Sequence, residues 1–378
     1  MKFSVSLFEF QQLLQTVIQA VPPKSTLPVL ENFHFRLKEG ALRATATDQE
    51  LTVVSDIQVE AHDDGELLVP ARKLFEIVKA LGNTGMLTFS ADPSSYRITL
   101  KTDYGEYTVF GMNAREFPDI PDFANGIEAH FSREDMMKIA QKTAFAVSRD
   151  EYRPAMTGVL FQFNVDTLNA VSTDSYRLVR VILQNSETTK LPDRSHTVIV
   201  PSRAIELLKK VDSDVDMLMS ETHAKFVTKN STVITRLIDE RFPAYENVIP
   251  ANNDKVVKFV SGDVLSSVKR VALFSSSISR QVQFMLEPNR WTIVGEDLET
   301  GNKAVETVPC EYTNEAIDIG FNYRYIEEAL NHLADGANAE AMMSFSTSTR
   351  PALIKPLKDG VEREDVLMLI MPVRPLQR

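Results

Sequence analysis

The sequence predicts an α+β chain made of three tandem copies of one unit, and three observations carry that reading. Phe3, Phe131 and Phe259 open similar segments, FSVSLFEF, FSREDMMK and FVSGDVLS, at two equal intervals of 128 residues. A helix-like stretch returns three times, as VPARKLFEIVKALG from Val69, VPSRAIELLKKV from Val200 and FNYRYIEEALNHL from Phe321. A short acidic signature keeps the same step, with ATD ending at Asp48, STD at Asp174 and GED at Asp297. Solenoid repeats run roughly 20 to 50 residues, so units this long are domains in their own right. The expected boundaries are 1–125, 126–254 and 255–378, with linkers near Asn125-Gly126 and Asn252-Asn253, both of loop composition. The length of 378 residues agrees, because one domain takes about 100 to 200.

Each copy justifies its elements in order. The opening segment leads into a helix-period stretch, clearest at Phe10, Leu13, Leu14, Val17, Ile18 and Val21. Ser6, Ser132 and Ser261 sit where N-caps are expected, since a side-chain oxygen there accepts orphan amide hydrogens of the first turn. Alternating stretches follow, such as Phe33, Phe35 and Leu37 around His34 and Arg36, with a turn at Glu39-Gly40, and these predict half-buried hairpins. The second helix of each copy buries Ile77/Val78 and Leu81, Leu207/Leu208 and Val211, or Ala329/Leu330 and Leu333. Its other face carries Arg72, Lys73 and Lys79 in copy one and Arg203, Lys209 and Lys210 in copy two, but mainly Arg324 in copy three. Closing strands end in proline turns at Phe117-Pro118, Phe242-Pro243 and Met371-Pro372. Helix, strands, helix, strands predicts two antiparallel sheets per copy with the helices on one face.

Composition narrows the function. Hydrophobic residues make up 43% and charged residues 25%, the balance of a folded globular chain. The longest apolar run, VLMLIMPV from Val366, is far shorter than the roughly 18 residues of a membrane span. The N-terminal MKFSVSLFEF lacks a signal-peptide pattern and the single Cys310 has no internal partner, so a cytoplasmic setting is expected. A net charge of −11 excludes coating nucleic acid through overall positive charge and makes any DNA contact local. No GxxxxGK, GxSxG, HExxH or paired CxxC motif occurs, and six scattered histidines show no ligand spacing, so no cofactor, metal or catalytic centre is expected. Asp212, Asp214 and Asp216 resemble the start of a calcium loop, but Met217 replaces the required Gly and His223 stands where a bidentate Glu belongs. Two other classes remain open from the residues alone. One is a hydrolase using Asp48, Asp174 and Asp297, and the other is a scaffold that binds partners without DNA.

The order of the three copies, the TDSYRL segment, LIDERFPAYENVIP and the terminal IMPVR resemble the β-subunit family of bacterial DNA polymerase III, the sliding clamps, over essentially all of the chain. The resemblance implies a non-catalytic processivity factor. It would be a ring-forming homodimer of six similar domains, joined head to tail, with helices lining a hole for double-stranded DNA. Loose phosphate contacts, without base readout, suit a ring that slides. Candidate phosphate contacts by resemblance are Lys24, Arg72, Lys73, Arg149, Arg153, Arg203 and Arg280; Asp150 departs from the neutral polar residue common there.

The resemblance also implies a groove taking short Gln- and Leu/Phe-bearing peptides of replicative and lesion-bypass polymerases, the clamp loader and mismatch-repair proteins. By position it would be built from Met156, Thr173, Ser175, Tyr176, Arg177, Leu178, Pro243, Asn247, Val248, Leu369, Ile370, Met371, Pro372, Val373 and Arg374. Spacing alone reads Leu178, Leu369 and Met371 as strand-face core. Ser175 and Tyr176 stand where the family commonly has Gly and His, and Pro375-Leu376-Gln377-Arg378 prolongs a tail that usually stops sooner. For ring closure the resemblance sets Tyr107 and Val109 against Leu273 and Phe274.

Overall fold

The structure is a computed structural model that describes residues 1–121, 123, 125–333, 336 and 338–374. The prolonged tail expected at Pro375-Leu376-Gln377-Arg378 lies outside the described residues.

Copy one runs β1 (Lys2–Ser6), α1 (Leu7–Val17), β2 (Asn32–Lys38), β3 (Ala41–Thr47), β4 (Leu51–Gln58), β5 (Glu60–Asp63), β6 (Gly65–Pro70), α2 (Ala71–Leu81), β7 (Met86–Ala91), β8 (Arg97–Thr102) and β9 (Gly105–Phe110). Copy two runs β10 (Ile127–Phe131), α3 (Arg133–Thr143), β11 (Gly158–Phe163), β12 (Thr167–Thr173), β13 (Arg177–Gln184), β14 (His196–Pro201), α4 (Ser202–Leu208), β15 (Val215–Met219), β16 (His223–Val227) and β17 (Ser231–Arg236). Copy three runs β18 (Lys255–Val260), α5 (Ser261–Ala272), β19 (Gln281–Glu287), β20 (Arg290–Asp297), β21 (Asn302–Val308), β22 (Glu311–Tyr312), β23 (Ile317–Asn322), α6 (Tyr323–Leu333), β24 (Glu340–Phe345), β25 (Ala352–Lys358), β26 (Val361–Glu362) and β27 (Val366–Ile370).

The three copies share one topology. The middle strands order as β6-β2-β3-β4, β14-β11-β12-β13 and β23-β19-β20-β21, and the flanking strands as β1-β7-β8-β9, β10-β15-β16-β17 and β18-β24-β25-β27. All of these pairings are antiparallel. The sequence left out how neighbouring copies join. Copy one's β4 pairs with copy two's β17, Val53 opposite Val233, which makes an eight-stranded sheet. Copy two's β13 pairs with copy three's β27, Leu178 opposite Leu369, inside a ten-stranded sheet.

Those fused sheets divide the chain into two compact units that do not follow the sequence copies: Met1–Met136 with Lys210–Leu237, and Met137–Lys209 with Ile238–Arg378. In the first unit, Phe3 stacks on Phe89 at 4.8 Å, and Phe10 of α1 meets Phe35 of β2 edge-on at 6.0 Å. In the second, the fully buried Trp291 packs between Phe259 at 5.1 Å and Phe284 at 5.0 Å. Such rings carry much of the burial that offsets chain entropy. The openers Phe3, Phe131 and Phe259 are all buried, which explains why their spacing is the visible mark of the repeat.

Two of the three expected caps form. The Ser6 hydroxyl accepts the Glu9 N–H at 3.2 Å, and the Ser132 hydroxyl accepts that of Asp135 at 3.1 Å. Ser261 is a correction. Val260 is the N-cap, Ser261 is already helical with its N–H donated to the Ala339 carbonyl at 2.9 Å, and its hydroxyl is buried without a hydrogen-bond partner.

Candidate partner pocket and nucleic-acid face

The pocket begins at the turn joining β12 to β13. The Asp174 carboxylate accepts the N–H of Tyr176 at 2.9 Å and of Arg177 at 3.0 Å, which closes the turn. Ser175 is thereby held at φ +78°, a left-handed conformation that favours Gly, and Tyr176 is left 61% exposed. Copy one builds the same turn: Asp48 accepts from Glu50 and Leu51 at 3.1 and 2.8 Å, and Gln49 sits at φ +78°. In copy three Asp297 accepts the N–H of Glu299 at 3.1 Å and the hydroxyl of Thr300 at 3.0 Å. The acidic signature is therefore turn chemistry, each carboxylate committed to its own hairpin, and the hydrolase reading loses its candidate residues.

Arg177, only 9% exposed, bolts this hairpin to α6. Its guanidinium donates to Asp174 at 3.1 Å, to the Phe145 carbonyl at 2.6 Å and to the Glu328 carboxylate. It also lies over the Phe145 and Tyr325 rings, 5.2 and 4.9 Å from their centroids. Two carboxylates and two π faces offset the cost of burying this cation.

Beside the hairpin, Leu178 of β13, Leu369 of β27 and Leu353 of β25 lie opposite one another in register. With Leu160, Val171, Ile199, Leu367 and Tyr245 they form one apolar cluster, onto which Ala155, Ile238, Phe242, Ile249 and Met371 pack while staying partly open. Tyr245 donates its hydroxyl to Gln162 at 2.7 Å, and burial, with Glu246 nearby, pushes its pKa up to about 12. Leu178 and Leu369 are buried and form a floor, as strand spacing alone reads them; Met371, read the same way, lies past the end of β27 and stays half-buried, while the buried Ile370 alternates to the other face of the strand. The accessible walls are Tyr176 and Val248, exposed, with Met156, Pro243, Met371, Pro372 and Val373 half-buried. Ser175 donates to the Met156 sulfur at 3.5 Å, and the Met371 N–H reaches the Tyr176 carbonyl at 2.8 Å. Thr173 is buried, its hydroxyl donating to the Arg177 carbonyl at 2.7 Å. Val373 is bridged to Gly320, and the Arg374 carbonyl accepts from Gln281 at 3.1 Å, so the terminal IMPVR segment is fastened along one side. Asn247 is exposed next to Val248.

Sequence reasoning missed Phe242, Tyr245, Ile249 and Tyr325. The first three lie inside FPAYENVIP and carried an apolar signal; Tyr325 carried none, because nothing in the spacing of α6 ties it to Arg177, over which its ring lies.

The cationic candidates divide by their neighbours. Lys24, Lys73 and Arg149 are exposed, and their side chains meet no ion-pair partner among the described residues. Arg72 is exposed and also donates to the Val21 carbonyl at 3.2 Å, and Arg203 is exposed on α4. Arg153 pairs with Asp150 at 3.5 Å and donates to the Ser175 hydroxyl at 2.9 Å, so Arg153 ties that loop to the pocket hairpin. Arg280 is half-buried at φ +51°, donating to the Ser277 carbonyl at 3.3 Å. The three aspartates after Val211 are used structurally: Asp214 accepts the Arg133 N–H at 2.8 Å, Asp216 pairs with His130 at 2.6 Å and Asp212 accepts from Asn230 at 3.2 Å.

At the candidate interface β9 is the last strand of its sheet and β21 the last of another, and neither has an outer neighbour among the described residues. Tyr107 is half-buried, and Val109 turns into its own core at 9% exposure. Leu273 and Phe274, at the end of α5, are 82% and 43% exposed. Phe110, Ile278 and Val305 are further exposed apolar residues that the sequence reading did not single out.

Three copies of one two-sheet domain, joined edge to edge through their sheets, define the class: a tandem clamp-domain protein. Three models of one family match in order: the DNA polymerase III beta subunit N-terminal domain over residues 1–121, its central domain over 130–244 and its C-terminal domain over 246–374. The beta sliding clamps of Pseudomonas putida and Bacillus subtilis are each 27% identical, cover 99% of this chain and are themselves covered in full. Among solved structures, a sliding clamp from Pseudomonas aeruginosa bound to griselimycin superposes with a TM-score of 0.90 at 27% identity, over 99% of this chain and 100% of that one. One from Bacillus subtilis gives 0.88 at 26%, covering both chains completely. The chain belongs to the DNA polymerase III beta subunit family.

Proposed function

We infer that this chain is a sliding clamp, a non-catalytic subunit that confers processivity on a replicative DNA polymerase, and that it works as a head-to-tail ring of two chains. One observation carries the ring. The outer middle strand of a copy pairs with the last strand of the next copy, as β4 with β17 and β13 with β27. Among the described residues, only β21 lacks that following strand and only β9 lacks that preceding one. The same junction made a third time, β21 of one chain to β9 of another, closes two chains on each other. Leu273, Phe274 and Ile278 supply apolar surface beside it, with Tyr107 and Phe110 on the strand itself.

Duplex DNA passes through such a ring held by topology. Lys24, Arg72, Lys73, Arg149, Arg153, Arg203 and Arg280 meet phosphates loosely enough to slide, and the acidic remainder of the surface discourages adsorption elsewhere. The groove over Leu178 and Leu369 takes short apolar peptide segments of polymerases, the clamp loader and mismatch-repair proteins. Burying a peptide Leu and Phe there contributes about 1.5 to 3 kcal/mol each before ordering costs, a range suited to exchangeable partners. The cytoplasm, where replication proceeds in bacteria, is the expected compartment.

Retention on DNA tests the reading. Loaded by a clamp loader onto a nicked plasmid, the protein stays through gel filtration at raised salt and is released when the plasmid is cut once. Equal loss from circle and line would leave only a scaffold or an ordinary DNA binder.

A further inference from the structure

A continuous column of flat groups runs from the end of α6 to the pocket rim. His332 stacks on Phe145 at 4.2 Å, and Phe145 and Tyr325 sandwich the Arg177 guanidinium. Tyr325 in turn stacks on Tyr176, centroids 6.2 Å apart with planes 17° apart. The column is fastened along its length. His332 Nδ1 meets the Glu328 carbonyl at 2.8 Å, Lys142 donates to the carbonyls of His332 and Leu333 at 3.0 Å each, and Glu328 binds Arg177. Tyr176 is the terminal layer, placed by the left-handed Ser175, with one ring face on Tyr325 and the other open to solvent.

We propose that Tyr176, backed by Tyr325, is a specificity-determining platform of the partner pocket, and that it selects peptides with an aromatic side chain next to their apolar anchor. The inference rests on the pocket reading above. An open π face accepts another ring or a cation. A cation is disfavoured because the nearby carboxylates are already engaged, Asp174 and Glu328 by Arg177, and Asp150 by Arg153, whose guanidinium also reaches the Ser175 hydroxyl at 2.9 Å. A ring pays little conformational entropy on docking, and the Tyr176 ring has already been ordered by the column beneath it.

The test uses fluorescein-labelled peptides with a Leu-Phe anchor, carrying either Tyr or Ala at the two flanking positions, titrated by anisotropy against the full chain. The wild-type protein should prefer the Tyr-bearing peptide by roughly 2- to 12-fold, the range of an aromatic pair. Tyr176→Ala should abolish that preference, bringing the affinities of the two peptides within about twofold of each other whatever binding they lose in common, and Tyr176→Phe should keep the preference. A preference that survives Tyr176→Ala, or an equal loss for both peptides, overturns the platform while leaving the pocket standing. If the wild-type protein binds neither peptide, the pocket reading falls and the platform falls with it.

Discussion

Removing Leu273 and Phe274 should open the ring without unfolding the chain. In one chain Leu273 is 82% exposed and Phe274 43%. Full burial of a Leu or Phe side chain contributes about 1.5 to 3 kcal/mol, so covering what is left open gives roughly 2 to 4 kcal/mol per junction. A two-chain ring has two identical junctions, so the double Leu273→Ala, Phe274→Ala variant loses on the order of 4 to 8 kcal/mol per dimer. That is about three to six powers of ten in Kd. Sedimentation equilibrium near micromolar concentration should then report the single-chain mass of 42.5 kDa where the parent reports twice that. The melting temperature of the isolated chain should fall by no more than about 7 °C, because the covered share of Phe274 contributes about 1 to 2 kcal/mol to its own chain while the exposed Leu273 contributes within roughly 0.5 kcal/mol. A doubled mass that persists in this variant, and in the corresponding double-Asp variant, would refute closure at this surface.

Three further outcomes follow from particular contacts. Arg177→Met strands Asp174 and Glu328 at a cost of about 3 to 5 kcal/mol, and amide protection along β12 and β13 should fall by about two hundred- to five thousandfold in hydrogen exchange; Arg177→Lys, which keeps only the charge, should fall in between. Burial raises the pKa of Asp365, but bonds from Arg363 at 3.0 and 2.6 Å and Lys138 at 2.6 Å outweigh it and hold the carboxyl at about 2. Its contribution is therefore complete above the ordinary value of 3.8 and is lost as pH falls toward 2. Asp365→Asn should cost on the order of 1 to 2 kcal/mol at neutral pH in urea titrations, allowing for partial exposure, and match the parent near pH 2. Gln49→Gly relieves the left-handed turn of copy one and should raise the urea midpoint of the first unit by the equivalent of about 0.5 to 1 kcal/mol; no change would mean that the turn holds no strain.

The repeat was legible because its markers have physical reasons to stay in phase. The openers Phe3, Phe131 and Phe259 are core, and Asp48, Asp174 and Asp297 each close a hairpin. Caps were legible where helix and strand part at the serine, at Ser6 and Ser132, and not at Ser261, whose N–H is claimed by Ala339. Alternation tells which face of a strand is buried and nothing about which distant edge it meets, so the joining of β4 to β17 and β13 to β27 was invisible. The pocket shared that fate in part. Its floor and tail lie in recognisable runs, but the Arg177 bolt depends on Phe145, Tyr325 and Glu328, which no spacing connects.

The strands at the two kinds of junction also differ in composition. Within the chain the joined strands read LTVVSDIQ with STVITR, and RLVRVILQ with VLMLI, and the paired stretches are almost wholly buried. The two open edges read GEYTVF and NKAVETV, and they carry Glu106 and Lys303, both exposed, and the half-buried Glu306. Charges on an open edge hinder pairing with arbitrary strands, which protects a free chain from sheet-to-sheet aggregation. In the ring proposed above they would also lower the apolar gain when the correct edge arrives, leaving Leu273 and its neighbours to carry more of the closing junction than the strands. Glu306 is held by a two-pronged bond from Arg270 of α5 at 2.8 and 2.6 Å, which neutralises it in place and ties β21 to the helix that ends at Leu273. The proposed ring would thus combine two joints sealed inside the chain by buried strand pairs with a third, built from a polar edge and a small apolar patch, that could part to admit DNA.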